Sequence, residues 1–169
     1  QRKLNFWDKR IDQSDFLMVR IGTGNEELKV AIDYPKEGFT LEENELKNSL
    51  TEMINKYKYL KNVPISYSFY ENVITAVMGD EKKTYPFVHN VLFQLLTFYS
   101  YDDLKIVLFT NDSHQSEWDY IKYLNHNMTN DNSFRFFASN EENASLVCEV
   151  LRQEVNNRMA LLKDKNEER

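Results

Sequence analysis

The chain has 169 residues, a formal net charge of −6 and 41% apolar residues, the size of one globular domain with apolar material enough for a core, which excludes disorder and collagen-like repeats. Its 27 acidic against 21 basic residues deny it the broad positive field of non-specific nucleic-acid binding. Cys148 is the only cysteine, so no internal disulfide forms, and no apolar run reaches the ~20 residues of a membrane span. With Gln1 in place of an initiator Met, the chain reads as a cytoplasmic piece of something larger.

Residues 1–15 are polar apart from Phe6 and Trp7 and read as an entry segment. Phe16, Val19 and Ile21 predict a strand ending in a Gly22-Thr23-Gly24 turn, and the alternation over 28–32 predicts a strand that pairs back as a hairpin. Thr40 with Glu43 makes a capping-box pattern, after which Leu46, Leu50, Met53, Ile54 and Tyr57 recur at helical spacing. Residues 64–70 alternate as a strand, Glu71-Asn72 is a turn, and 72–78 (NVITAVM) reads as a more central strand. Residues 84–99 are apolar on nearly every face, a helix buried against a sheet with Pro86 in its first turn.

Residues 104–109 (LKIVLF) predict a buried strand, 117–124 a short helix carrying Trp118, and 134–138 another strand. Ser139 and Glu142 cap a last helix with Leu146, Val147, Val150, Leu151, Val155 and Met159 on one face. The expected fold class is α/β: a mainly parallel sheet with helices on both faces and an N-terminal β-hairpin. A single domain over 16–162 is followed by a solvated tail, 163–169.

Strand, loop and helix around Gly79 are the setting of a phosphate-binding loop, and Lys83-Thr84 imitates its last two residues. Aligned on Lys83, however, Val77 and Lys82 occupy the two glycine positions, and both carry the Cβ that glycine lacks. Asp80 and Glu81 put negative charge where phosphates would lie. The strand over 104–109 continues as Thr110-Asn111-Asp112, where a magnesium-binding acid is needed one or two residues sooner, and Asn111 cannot act as a base. Gly79, Lys82, Lys83, Thr84, Asn111 and Asp112 therefore outline a degenerate nucleotide site.

Other candidates carry less. Cys148 reads as a core residue on the apolar stripe of the last helix. His89, His114 and His126 lack metal-ligand spacing, and His89 reads as a packed, hydrogen-bonded histidine. Glu42/Glu43 and Glu141/Glu142 fall in first helical turns, where the helix dipole accounts for them. No G-x-S-x-G elbow or H-E-x-x-H motif occurs, and no catalytic residue, metal or cofactor is expected.

Trp7-Asp8-Lys9-Arg10 and Asp15-Phe16-Leu17-Met18-Val19-Arg20-Ile21-Gly22 resemble a signature of the membrane-proximal cytosolic segment in EssC/EccC translocases of type VII secretion, which are FtsK/SpoIIIE-like. Residues 95–104 (LLTFYSYDDL) resemble the family's "QL…HSPDDL" stretch, and 116–127, with Trp118, its "EW.W.KWLPHN"; Asn125 replaces the usual Pro.

The resemblance covers nearly the whole chain. It implies a degenerate P-loop or RecA-like ATPase fold between transmembrane helices and a row of ATPase modules, and a non-catalytic coupling role at the cytoplasmic side of the bacterial membrane. Its expected partners are other modules and the transmembrane region of the same chain and neighbouring subunits, with exported substrates a further candidate. Nucleic acid is not expected. Divergent nucleotide binding and substrate docking are the alternative functions. Trp7, Arg10, Asp15, Arg20 and Trp118 are the signature contacts. Trp7 with Arg10 and Arg20 either holds the entry segment to the domain body or a neighbour, or Trp7 packs on its own core.

Overall fold

A computed structural model describes residues 6–30 and 45–167. They form two compact units, Asp12–Leu95 and Gln1–Ile11 with Leu96–Arg169. The molecule is α/β, with two small two-stranded sheets among the described residues, one antiparallel and one parallel.

In the unit Asp12–Leu95, strand β1 (Met18–Glu27) pairs antiparallel with β2 (Tyr59–Ser68), from Met18 opposite Ser68 to Glu27 opposite Tyr59. Gly22-Thr23-Gly24 is thus not the end of the strand. It lies inside β1, between register shifts at Arg20/Gly22 and Gly24/Glu26. A Cβ on Gly24 would stand 3.1 Å from Cγ1 of Ile65, so this glycine lets β2 approach closely. Two glycines therefore mark a bulged strand here, where the sequence suggests a turn.

An antiparallel pair does stand near the N-terminus, but its second strand is β2. Of the expected return strand over 28–32, Ala31 and Ile32 lie outside the described residues, as do the capping residues Thr40 and Glu43. Helix α1 (Glu45–Tyr57) runs almost directly into β2, and the Leu28 N–H reaches the Lys58 carbonyl at 2.9 Å. Pro64 lies within β2 opposite Thr23, in the stretch between the two bulges.

The turn after β2 forms as expected: the Glu71 N–H donates to Ser68 Oγ and Asn72 Nδ2 to the Ser68 carbonyl. The strand expected over 72–78 does not form, and these residues join no ladder. An apolar run becomes a central strand only when neighbours pair with it on both sides. No described strand does so.

Helix α2 (Glu81–Phe98) starts three residues before the expected position, so Pro86 falls inside the helix, past its first turn. Val91 is buried, most of its other apolar residues are half-buried and Phe93 is exposed.

In the other unit, β3 (Leu108–Phe109) pairs parallel with β4 (Phe137–Ala138), far shorter than the runs 104–109 and 134–138. Thr110 N donates to the Ala138 carbonyl at 2.8 Å, extending the contact, and Ile106 N donates to the His126 carbonyl in another segment, also at 2.8 Å. The short helix α3 (Gln115–Trp118) passes into a 3-10 turn, Asp119–Tyr123, burying Trp118 and Ile121.

Helix α4 (Glu141–Glu167) is capped by Asn140, whose Oδ1 accepts from the Asn143 N–H at 2.9 Å, rather than by Ser139. Val147 is buried with Phe136 and Ala138, and Val150 and Leu151 are half-buried against them. Leu146, Val155 and Met159 are exposed, so the buried stripe is shorter than the pattern suggests. Cys148 is exposed too. It lies about 100° around the helix from Val147, and one residue is enough to leave a narrow buried stripe.

Candidate functional site

The start of α2 collects four of the expected nucleotide-site residues. Asp80 precedes the helix; its Oδ1 accepts from the Lys82 N–H at 3.1 Å, and its carbonyl accepts from Lys83 and Thr84 N–H at 2.9 and 2.8 Å. The open N–H groups and positive end of a helix dipole attract an anion. Here a carboxylate of the chain itself supplies it.

Gly79 packs against the Thr84 hydroxyl, with 3.2 Å available from a Cβ position to Thr84 Oγ1. Lys82 and Lys83 are exposed and Thr84 is half-buried. Asn111 and Asp112 belong to the other unit. There Asn111 Oδ1 accepts from Ser113 Oγ at 2.7 Å and from the His114 N–H at 3.0 Å, so it organises the turn into α3. Asp112 is exposed on that turn.

Arg20 sits on β1, where its own backbone meets a side chain of α2. The Arg20 N–H donates to Gln94 Oε1 at 2.9 Å, and Gln94 Nε2 donates to the Arg20 carbonyl at 2.8 Å. Gln94 Nε2 also reaches Asn90 Oδ1 at 2.9 Å, and Arg20 Nε donates to the Gly22 carbonyl. Arg20, Gly22, Thr23, Phe87, Asn90 and Gln94 line an open cleft of about 600 Å³. Asp15 lies in the turn before β1, its carbonyl accepting from the Met18 N–H.

The entry segment closes the far end of α2. Trp7 N–H donates to the Thr97 carbonyl, Lys9 N–H to that of Phe98, and the Trp7 indole to that of Leu96 at 3.3 Å. These carbonyls lie in the last turn of a helix, where intrahelical partners run out. Trp7 meets Tyr101 edge-on at 5.6 Å and stays 47% exposed, with a left-handed φ of 59°. It is thus held to the body of its own unit without entering a core. Arg10 is exposed. Trp118 is buried and serves packing.

Two neighbouring residues, His126 and Asn127, hold buried positions that the sequence does not announce. His126 is buried, with Nε2 2.9 Å from the Tyr99 carbonyl. Asn127 is fully buried, its Nδ2 donating to the carbonyls of Ile106 and Phe136 at 3.0 and 2.8 Å. A search for metal spacing passes over a histidine that bonds a backbone carbonyl and an asparagine that bridges two of them. Among the described residues no group of three His, Cys, Asp or Glu could hold a metal, and no helix is long and apolar enough to cross a membrane.

No protein-family model matches the chain. It is similar to the ESX secretion system protein EccC of Thermomonospora curvata, 27% identical over 124 residues, which is 72% of this chain and 9% of that protein. The ESX secretion system protein YukB of Bacillus subtilis is 24% identical over 70% of this chain and 8% of its own length. The type VII secretion system protein EssC of Staphylococcus aureus is 22% identical over 95% of this chain and 11% of its own length. The chain is a homologue of the EccC and EssC secretion proteins. It spans about a tenth of the length of these curated relatives. These relatives agree with the EssC/EccC resemblance of the sequence motifs.

Proposed function

We propose that this chain is a non-catalytic module of a membrane-anchored type VII secretion protein, on the cytoplasmic side of the bacterial membrane. It couples the membrane region to ATP-hydrolysing modules elsewhere in the protein, through contacts with adjoining modules and neighbouring subunits. The observation that carries this reading is the Asp80 carboxylate on the Lys82 N–H. A phosphate at the start of α2 would have to displace it and then face its negative charge. Val77 and Lys82, standing where a phosphate loop needs glycine, support the same reading of a degenerate ATPase-like module.

The entry segment suits such a role. Trp7 and Lys9 bind the last-turn carbonyls of α2, so a pull on residues preceding Trp7 is delivered to that helix end. In the full secretion protein, Trp7→Ala and Arg20→Ala each stop export while the protein remains folded and abundant. Normal export by both variants overturns the coupling role.

The exposed ammonium groups of Lys82 and Lys83 at the helix start favour a second reading, divergent nucleotide binding. Titration calorimetry of the chain with Mg-ATP and Mg-ADP separates the two. The coupling reading expects no binding heat. Binding tighter than roughly 1 mM, lost in Lys83→Ala, overturns it.

A further inference from the structure

The cleft beside Arg20 has one wall from β1 and one from α2, and every residue lining it belongs to the unit Asp12–Leu95. Its polar groups are unevenly engaged. Gln94 is held at both ends, its Oε1 by the Arg20 N–H and its Nε2 by the Arg20 carbonyl and Asn90 Oδ1. Arg20 Nε goes to the Gly22 carbonyl. Among the described residues, the Arg20 Nη groups, Asn90 Nδ2 and Thr23 Oγ1 make no hydrogen bond or ion pair. The side-chain groups left over can therefore all donate, and one carries a full positive charge. No acidic residue lines the cleft to neutralise it.

We propose that this cleft binds a partner segment, an extended peptide presenting an Asp or Glu between apolar residues, with the carboxylate on Arg20. A flat carboxylate answers the donor set: its two oxygens accept from the paired Nη groups and keep acceptor sites for Asn90 and Thr23. A phosphate group would bring close to two negative charges to one cation. Ile21, Pro86 and Phe87 add apolar surface to the same cleft. A small free carboxylate leaves that surface bare, whereas apolar neighbours of an acidic residue cover it. Among the described residues, nothing lies within 4 Å of a Cβ position on Gly22, so a segment has room to lie along β1 there. The site is separate from the start of α2 and from the Trp7 contacts, and binding does not depend on the coupling role.

Amide NMR of the chain, titrated with acetyl-Ser-Leu-Glu-Leu-Ser-amide and with its Gln counterpart, tests the site. The Glu peptide is expected to shift Gly22, Thr23 and the Asn90 side-chain amide saturably, with a Kd of about 1 mM or tighter. The Gln peptide, which lacks the charge, binds roughly tenfold or more weakly. Arg20→Met abolishes the difference between the two peptides. Gln94 holds the Arg20 backbone and not its guanidinium, so unchanged Gln94 side-chain signals show that this variant keeps its fold. No saturable shift in the cleft at about 10 mM peptide, equal affinity for both peptides, or undiminished binding by Arg20→Met overturns the proposal. So does sodium acetate or inorganic phosphate binding these residues as tightly as the Glu peptide, because the site would then take a free anion.

Discussion

The side-chain amide of Gln94 closes a ring on the backbone of Arg20, accepting from its N–H at 2.9 Å and donating to its carbonyl at 2.8 Å. A glutamine on α2 thereby does for β1 what a neighbouring strand would do, filling one donor and one acceptor of its backbone. The same contact sets the wall of the cleft beside Arg20, Thr23 and Phe87.

Gln94→Leu keeps the bulk and removes both bonds. The bond to Asn90 goes with them, and the expected loss is about 1–2 kcal/mol, because water can still reach the freed groups. Urea denaturation monitored by circular dichroism measures it. An unchanged midpoint would show that the ring contributes nothing to stability.

Asp80→Ala removes the carboxylate from the Lys82 N–H. It costs roughly 1 kcal/mol, the usual worth of an N-cap, whereas Asp80→Asn retains the acceptor and stays within a few tenths of the parent. Thermal unfolding of the two variants side by side resolves the difference. Equal losses in both would assign Asp80 a role in its charge rather than its cap.

Asn127 ties the segment before β3 to the segment before β4 from a fully buried position. Asn127→Leu leaves the carbonyls of Ile106 and Phe136 without this donor, and the expected cost is about 2–4 kcal/mol. Equilibrium unfolding in guanidinium chloride checks it. A loss within experimental error would mean that those carbonyls find other donors.

Asp131 accepts from the Thr129 hydroxyl and from the Ser133 hydroxyl and N–H, and these bonds lower its pKa from the usual 3.8 to about 2. The folded value lies below the unfolded one, so the stabilisation is complete above about pH 4 and is lost as pH falls through about 2. A carboxyl NMR titration finds the midpoint near 2. In Thr129→Val the midpoint moves back toward the ordinary carboxylate value; failure to move would remove Thr129 as the principal cause.

Cys148 faces solvent from α4. A thiol-specific chromogenic reagent is expected to modify it in the folded chain about as fast as in denaturant, without a lag for unfolding. Protection in the folded chain would restore the core position that its place in the sequence suggests.

The elements with their own local code were legible from residues. Helical spacing located α2 and α4 to within a few positions, and Ser68-to-Asn72 chemistry made the expected turn. The motifs around Trp7, Asp15 and Arg20 carried the EssC/EccC resemblance, and the relatives agree with it. The absence of glycine at 77 and 82 was likewise written in the chain.

Pairing was not legible, because an apolar run states that it prefers cover and leaves open what covers it. Residues 104–109 and 72–78 look alike by composition, yet the first reaches β4 and the second stands in solvent. Only the tertiary structure decided that Gly22 and Gly24 lie within a bulged strand, that Cys148 turns outward one residue from Val147, and that Asp80 occupies the head of α2. Each depends on the direction of a single side chain or the register of a distant strand. Local periodicity fixes neither, since both are set by which surfaces meet once the chain has folded.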